Sequence, residues 1–261
     1  MRTADGSLSV MIREMLTIFD LGALFADPAF YGFGSPRGDG KPVVVIPGLF
    51  GNDFYLQPLH HWLCRSGYTP VQSSLDFNAG CLQRISNQIL EQINHHTHDR
   101  TGPIALIGHS RGGALAWALA GHLQEKVSHL VMLGSPVASL MASVETGQVI
   151  PTFAGSIGRT MMRMSSLLRH TLDPDCTYPS CGCPFVSNIM RPLSARTSIL
   201  SIYGRDDGLV PKEAQITEGA TLEVSASHIG LVYSPEVYHA LGRFLYAGTI
   251  ESASAAVSVH H

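Results

Sequence analysis

The sequence predicts an α/β fold: a mostly parallel central sheet flanked by helices and interrupted by one inserted cap. Three observations predict it. Short continuous apolar runs such as Val43-Val44-Val45-Ile46 have the pattern of strands buried on both faces. They alternate with stretches whose apolar residues recur at helical spacing, the rhythm of successive βαβ units. One stretch, 135–197, is far longer than that rhythm allows between a strand and the next crossover, and reads as a cap or lid.

Composition supports a buried core and removes several function classes. Of the 261 residues, 45% are hydrophobic and 14% charged, which excludes extended disorder. The formal charge of −3, from 17 basic and 20 acidic residues without a basic block, excludes nucleic acid as a main partner. No apolar run reaches the roughly 18 residues of a membrane span, and no cleavage pattern follows the N-terminal stretch. A soluble, cytoplasmic protein is expected, or a secreted or periplasmic one if cap cysteines are oxidised.

The elements follow in order. Residues 1–41 hold an amphipathic helix and a linker: Met11, Met15, Ile18 and Leu21 recur at helical spacing, Asp27-Pro28 supplies the stop, and the apolar side is expected to pack on the main domain. The core spans 42–134 and 198–246. Strands are expected at 43–46, 68–71, 104–107, 130–133, 198–203 and 221–224, with helices at 81–93, 114–123 and 235–246. The tail, 247–261, is rich in Ala and Ser, has no core pattern and is expected to be mobile.

The strongest chemical signal is Ile104-Ala105-Leu106-Ile107-Gly108-His109-Ser110-Arg111-Gly112-Gly113, which joins an apolar strand directly to a helix. A serine at such a turn holds a strained backbone, and Gly108 and Gly112 are small because side chains there would collide. The helix N-terminus favours developing negative charge. Serine is a poor nucleophile without a base that a third group orients. Both follow at later strand ends: carboxylates in Gly204-Arg205-Asp206-Asp207-Gly208, then an imidazole in Ser227-His228-Ile229-Gly230. In an open α/β sheet those strand ends border one crevice.

These pieces, with Val45-Ile46-Pro47-Gly48-Leu49-Phe50-Gly51 and Leu133-Gly134-Ser135-Pro136, resemble the α/β-hydrolase superfamily, and within it the bacterial lipases and their relatives. The resemblance covers nearly all of 42–246. It implies a catalytic triad of Ser110, Asp207 and His228, the pattern Gly-x-x-Asp-x-x-Val-Pro selecting Asp207 over Asp206, with His239 the fallback base in a surface helix. It also implies an oxyanion hole from the backbone amides of Leu49 and Arg111, the Arg111 side chain pointing to scaffold groups. The first loop departs from the family, having Pro47-Gly48 where lipases commonly carry His-Gly. No cofactor and no metal is implied.

The cap carries Met161, Met162, Met164, Leu167 and Leu168 beside Arg159, Arg163 and Arg169, an amphipathic helix with a flexible apolar side. Phe50, Met161, Met164, Leu168 and Ile229 are expected to line an acyl pocket, and the cap to touch lipid surfaces transiently. Cys176, Cys181 and Cys183 read first as a local disulfide around Thr177–Ser180, then as free thiols; a zinc site lacks an evident fourth ligand, although His170 is near. Cys64 and Cys81 read as packing residues. His60, His61 and Asp53 read as surface groups, and His95-His96-Thr97-His98 as a solvated loop. The expected partner is a small-molecule or lipid-like ester with an apolar acyl or alcohol part. The alternatives are an acyltransferase using the same triad, and a non-catalytic ligand-binding member of the fold.

Overall fold

The computed structural model describes residues 17–34, 37–99 and 102–247. Positions Met11 and Met15 and the tail from 248 onward lie outside the described residues. The chain forms α1 (Thr17–Ala26), β1 (Pro42–Ile46), α2 (Gln57–Arg65), β2 (Thr69–Gln72), α3 (Leu82–Thr97), β3 (Ile104–His109) and α4 (Arg111–Leu123). It continues through β4 (Val127–Leu133), α5 (Val137–Thr146), α6 (Gly155–Leu172), α7 (Pro184–Ile189), β5 (Ser198–Gly204), β6 (Ala220–Val224) and α8 (Pro235–Ala247). The strands form one sheet in the order β2-β1-β3-β4-β5-β6, every neighbouring pair parallel.

Strand residues alternate between two cores, as side chains of period two must. Val43, Val45, Ile107, Val131 and Ile202 pack with Trp62 and Tyr238, on the side of α1, α2 and α8. Val44, Ile46, Leu106, Leu130 and Met132 pack with Ile85, Ile89 and Trp117, on the side of α3 and α4. Each such side chain contributes about 1.5–3 kcal/mol by leaving water, so the apolar runs in the sequence are a direct readout of two-sided burial. From β1 the chain steps outward to β2, then back past β1 to β3. That reversal opens a crevice at the carboxyl ends of β1 and β3, where open α/β sheets bind ligands.

The 135–197 segment is only partly a cap. Phe185 and Ile189 of α7 are core residues, and Trp117 Nε1 donates to the Ile189 carbonyl at 3.1 Å. In α6, by contrast, Gly158 is the one buried position.

Several expectations shift. Helix α2, expected after the first loop without bounds, buries His60, whose imidazole burial holds below its usual pKa; the surface reading of His60 is therefore corrected. Helix α3 runs to Thr97, so His95 and His96 lie in its last turn rather than in a loop. In α1 the buried residue is Leu24, and Leu21 is half-buried, but Ile18 is 70% exposed, one step off the packing stripe. Strand β4 begins at Val127, which pairs with Ile104, and the register then skips Ser128 so that His129 pairs with Ala105; Nδ1 of His129 donates to Ser128 Oγ at 2.9 Å, and Ser128 donates to the Ile104 carbonyl.

Burial, then Lys41, pushes the His129 pKa down to about 4. Its Nε2 is buried without a partner, and its ring meets Phe244 edge-on at 5.4 Å. The folded chain thus refuses a proton that the unfolded chain binds below about 6.5, and the stability this group contributes above that pH is lost as pH falls toward 4. His129→Asn keeps the donor to Ser128 and removes the titration. Urea unfolding is expected to show the wild type losing about 2 kcal/mol more than this variant between about pH 7 and pH 5.

Candidate active site

Ser110 sits between the end of β3 and the start of α4 with φ 54° and ψ −126°. A residue with a side chain pays about 1–3 kcal/mol for such a backbone and persists there only where its surroundings over-determine it. Here they do: the Ser110 amide donates to the Leu133 carbonyl at 2.8 Å, and Gly113 donates back to the Ser110 carbonyl at 2.9 Å. A Cβ on Gly108 would collide with the Gly112 carbonyl, and one on Gly112 with the Ile46 carbonyl. Both glycines are where the turn requires them.

Asp207 and His228 come from the loops after β5 and β6. Nδ1 of His228 donates to Asp207 Oδ2 at 2.8 Å, with the two side chains 4% and 2% exposed. The other carboxylate oxygen accepts from the Leu209 and Val210 amides at 3.0 and 2.8 Å. Those amides fix the carboxylate, which fixes the imidazole with its proton on Nδ1 and its basic nitrogen at Nε2. Gly134 lies beneath the pair: a Cβ there would stand 3.0 Å from Asp207 Oδ2 and 3.2 Å from His228 Nδ1. Asp206 is not the residue bonded to the imidazole. His239 lies away from the site, 3.2 Å from Asp27 Oδ2.

A polar chain that the sequence reading did not identify joins these loops. The Gly48 amide donates to Tyr55 Oη at 2.7 Å, Tyr55 donates to His109 Nδ1 at 2.9 Å, and His109 Nε2 donates to the His228 carbonyl at 3.0 Å. The directions follow from one another, because a hydroxyl that accepts from Gly48 has its proton left for His109. Burial, reinforced by the neighbouring His228, pushes the His109 pKa down to about 3, so His109 is the neutral member this chain needs. Asn78 braces the same loop, donating to the Pro47 carbonyl at 2.7 Å and accepting from the Phe50 amide at 2.9 Å through its own carbonyl. Asp53, expected at the surface, accepts from the Ser73 and Ser74 amides and so ties the loop after β1 to the loop after β2.

Gly48 is a close-approach position: a Cβ there would stand 3.1 Å from Ser110 Cβ. Leu49 follows Gly48 in this loop and Arg111 follows Ser110 in the first turn of α4, and among the described residues neither amide donates to a protein acceptor. Beside them lies a cavity of about 310 Å³ whose lining includes Leu49, Arg111, Phe153, Leu140, Met162 and Arg169. Phe153 meets the His228 ring edge-on at 6.5 Å.

The wall differs from expectation. Met162, Ser165 and Arg169 form the inward stripe of α6, so Met161, Met164 and Leu168 do not line this cavity, and Met164 is 52% exposed. Phe50 instead stacks on Phe77 at 5.5 Å, and Ile229 is 37% exposed. The Arg111 side chain makes the expected scaffold contacts, to the Gly80 carbonyl and Ser165 Oγ, and Arg111 is also among the residues that line the cavity. The cysteines are thiols rather than the expected disulfide. Cys181 and Cys183 bring their sulfurs within 2.6 Å, whereas Cys176 is buried beside Cys81, and burial raises both Cys176 and Cys183 to about 11. Among the described residues no cluster of histidine, cysteine or carboxylate groups suits a metal ion, and no helix is long and apolar enough to cross a membrane.

A family model described as the alpha/beta hydrolase fold matches residues 66–176. No curated protein matches the sequence. Among solved structures the chain is similar to the monoacylglycerol lipase of Paleococcus ferrophilus, at 15% identity over 83% of this chain and 97% of that one, with a TM-score of 0.53. It is also similar to a structure reported with the carboxylesterases of the ammonia-oxidizing thaumarchaeon Nitrososphaera gargenis, at 18% identity over 83% and 93%, with a TM-score of 0.52. A bacterial membrane phospholipase A aligns at 11% identity over 82% and 81%, with a TM-score of 0.52. At these identities the likeness establishes the fold, which is that of the α/β hydrolases.

The Tyr55 hydroxyl has one measurable consequence. Tyr55→Phe leaves the Gly48 amide and His109 Nδ1 unpaired in a buried place, which costs about 1–3 kcal/mol. A lower urea midpoint is expected, with kcat for ester turnover reduced more than KM is raised, because the loop that would hold an oxyanion loosens.

Proposed function

We propose that this chain, a member of the α/β-hydrolase superfamily, cleaves carboxylic esters with an apolar acyl or alcohol part through an acyl-enzyme on Ser110. The observation that carries the reading is the buried 2.8 Å bond from His228 Nδ1 to Asp207 Oδ2, set at the same sheet end as a left-handed serine at a helix N-terminus. No structural purpose needs that combination, since a serine alone would relax out of its strained backbone.

In this reading Ser110 Oγ attacks the ester carbonyl carbon as its proton passes to His228 Nε2. Asp207 holds the imidazole by Nδ1 and stabilises its charged form. The carbonyl oxygen takes the electron pair and is held by the Leu49 and Arg111 amides, aided by the N-terminal dipole of α4. Collapse of this tetrahedral species expels the alcohol, which leaves with the proton from Nε2. Water then gives a proton to Nε2, attacks the acyl carbon and releases the acid, restoring Ser110. The apolar cavity beside Leu49 receives the chain of the substrate. The substrate is a small-molecule or lipid-like ester, and contact of α6 with a lipid surface belongs to the same proposal.

Initial rates on nitrophenyl esters of increasing acyl length test the chemistry and the cavity together. Ser110→Ala and Asp207→Asn are each expected to lower kcat by about 10³-fold or more with little change in KM. A fluorophosphonate is expected to label wild type at Ser110 and not the alanine variant. Full esterase activity in pure Ser110→Ala protein would overturn the assignment.

A further inference from the structure

The cavity beside the serine is mostly apolar, yet three guanidinium-bearing residues line it: the exposed Arg163, and Arg111 and Arg169, which are more buried. Arg111 is 8% exposed, and its contacts are the Gly80 carbonyl at 2.7 Å and Ser165 Oγ at 3.5 Å. Arg169 of α6 donates to the Tyr178 carbonyl at 3.0 Å. The Nε of each is buried without a hydrogen-bond partner. Among the described residues neither has a carboxylate within ion-pair distance. Asp173, whose charge interacts with Arg111, is already engaged by Arg84 at 2.7 Å and by the Cys81 amide at 2.7 Å.

A buried cation without an anion, such as Arg111, is costly, and the half-buried Arg169 beside it repels it. The repulsion is felt: burial, with Arg169 adding to it, lowers Arg111 to about 10, still well above neutrality, so the charge is present. A guanidinium is a planar fork of donors with no acceptor, matched to the paired oxygens of a phosphate or carboxylate. An anion entering this cavity would neutralise both groups and use donors the protein leaves unfilled.

We propose that Arg111 and Arg169 form an anion-binding subsite, so that the ester this enzyme prefers carries a phosphate or carboxylate group on the apolar chain that enters the cavity. This deepens the ester-hydrolase reading and rests on it for the word substrate, but the subsite is a binding property in its own right. Arg111 then serves twice, by its amide at the reacting carbonyl and by its side chain at the far group. The residue after the nucleophile thereby sets selectivity.

Isothermal titration of hexyl phosphate, hexanoate and hexanol into the wild-type chain tests it, because the ligands share one chain length and none is a carboxylic ester. At least one of the two anions is expected to bind at least tenfold tighter than hexanol. Preference for hexyl phosphate over hexanoate assigns a phosphate-bearing substrate, and the reverse a carboxylate-bearing one. Arg169→Met is expected to shrink the anion's advantage at least fivefold, with Arg169→Lys intermediate. Hexanol binding as tightly as both anions in wild type would overturn the proposal without recourse to any variant. So would an anion advantage that survives in both Arg169→Met and Arg111→Met. If wild type binds the anions with this preference yet turns over no nitrophenyl ester, the hydrolase reading fails and the subsite stands.

Discussion

Everything at this site depends on how closely two backbones approach where the sheet reverses direction. The turn after β3 lies against the loop after β1, so that a side chain on Gly112 would strike the Ile46 carbonyl and one on Gly48 would crowd Ser110. Only glycine permits such contact. The approach accompanies the positive φ of Ser110, and it brings Gly48 against the serine. A parallel sheet with helices on both faces makes the reversal possible, since the crevice exists only where successive crossovers leave on opposite sides.

The strain is held by polar groups that packing alone could not place. The chain from the Gly48 amide through Tyr55 and His109 to the His228 carbonyl couples the first loop to the last one, across the serine. It works because each member has a single direction of donation available, and a protonated His109 would break it by turning Nδ1 into a donor. Burial prevents that protonation. Two histidines at neighbouring positions thus have opposite roles set by surroundings: His109 is kept neutral as a strut, while His228 is oriented by a carboxylate that two amides hold in place.

What the sequence made legible follows from whether the cause was local. The serine turn was legible because strand, glycines and helix stand in one stretch, and the Asp207 and His228 loops because each follows an apolar run at a strand end. The bounds of helix α2 and the burial of His60 were not, since His60 and His61 blur the apolar stripe that Leu59, Trp62 and Leu63 form. Tyr55, Asn78 and His109 were illegible for a different reason: each is an ordinary polar residue whose meaning lies in a partner dozens of positions away. The cap helix was recognised, but its facing was not. Amphipathic periodicity locates a stripe to within one step of about 100°, and that one step separates Met162 and Arg169 in the wall from Met161 and Leu168 beside it.

That same step decides what kind of cavity the chain has. With methionines and Leu168 facing inward, the wall would be a soft apolar sleeve, and selectivity would rest on chain length alone, at the modest discrimination that methylene groups give. With Arg169 facing inward beside Arg111, the wall contains fixed charge in a place water reaches poorly, where electrostatic interactions are stronger than at the surface. Arg111 cannot be moved to another position on α4 without losing this, because only the residue after the serine has its amide at the helix start and its side chain reaching both the Gly80 carbonyl and Ser165 of α6. Arg111 is therefore one tie between the core and α6, beside the bonds that Asp173 at the end of α6 makes to Arg84 and Cys81, and it sits next to Ser110 in the chain.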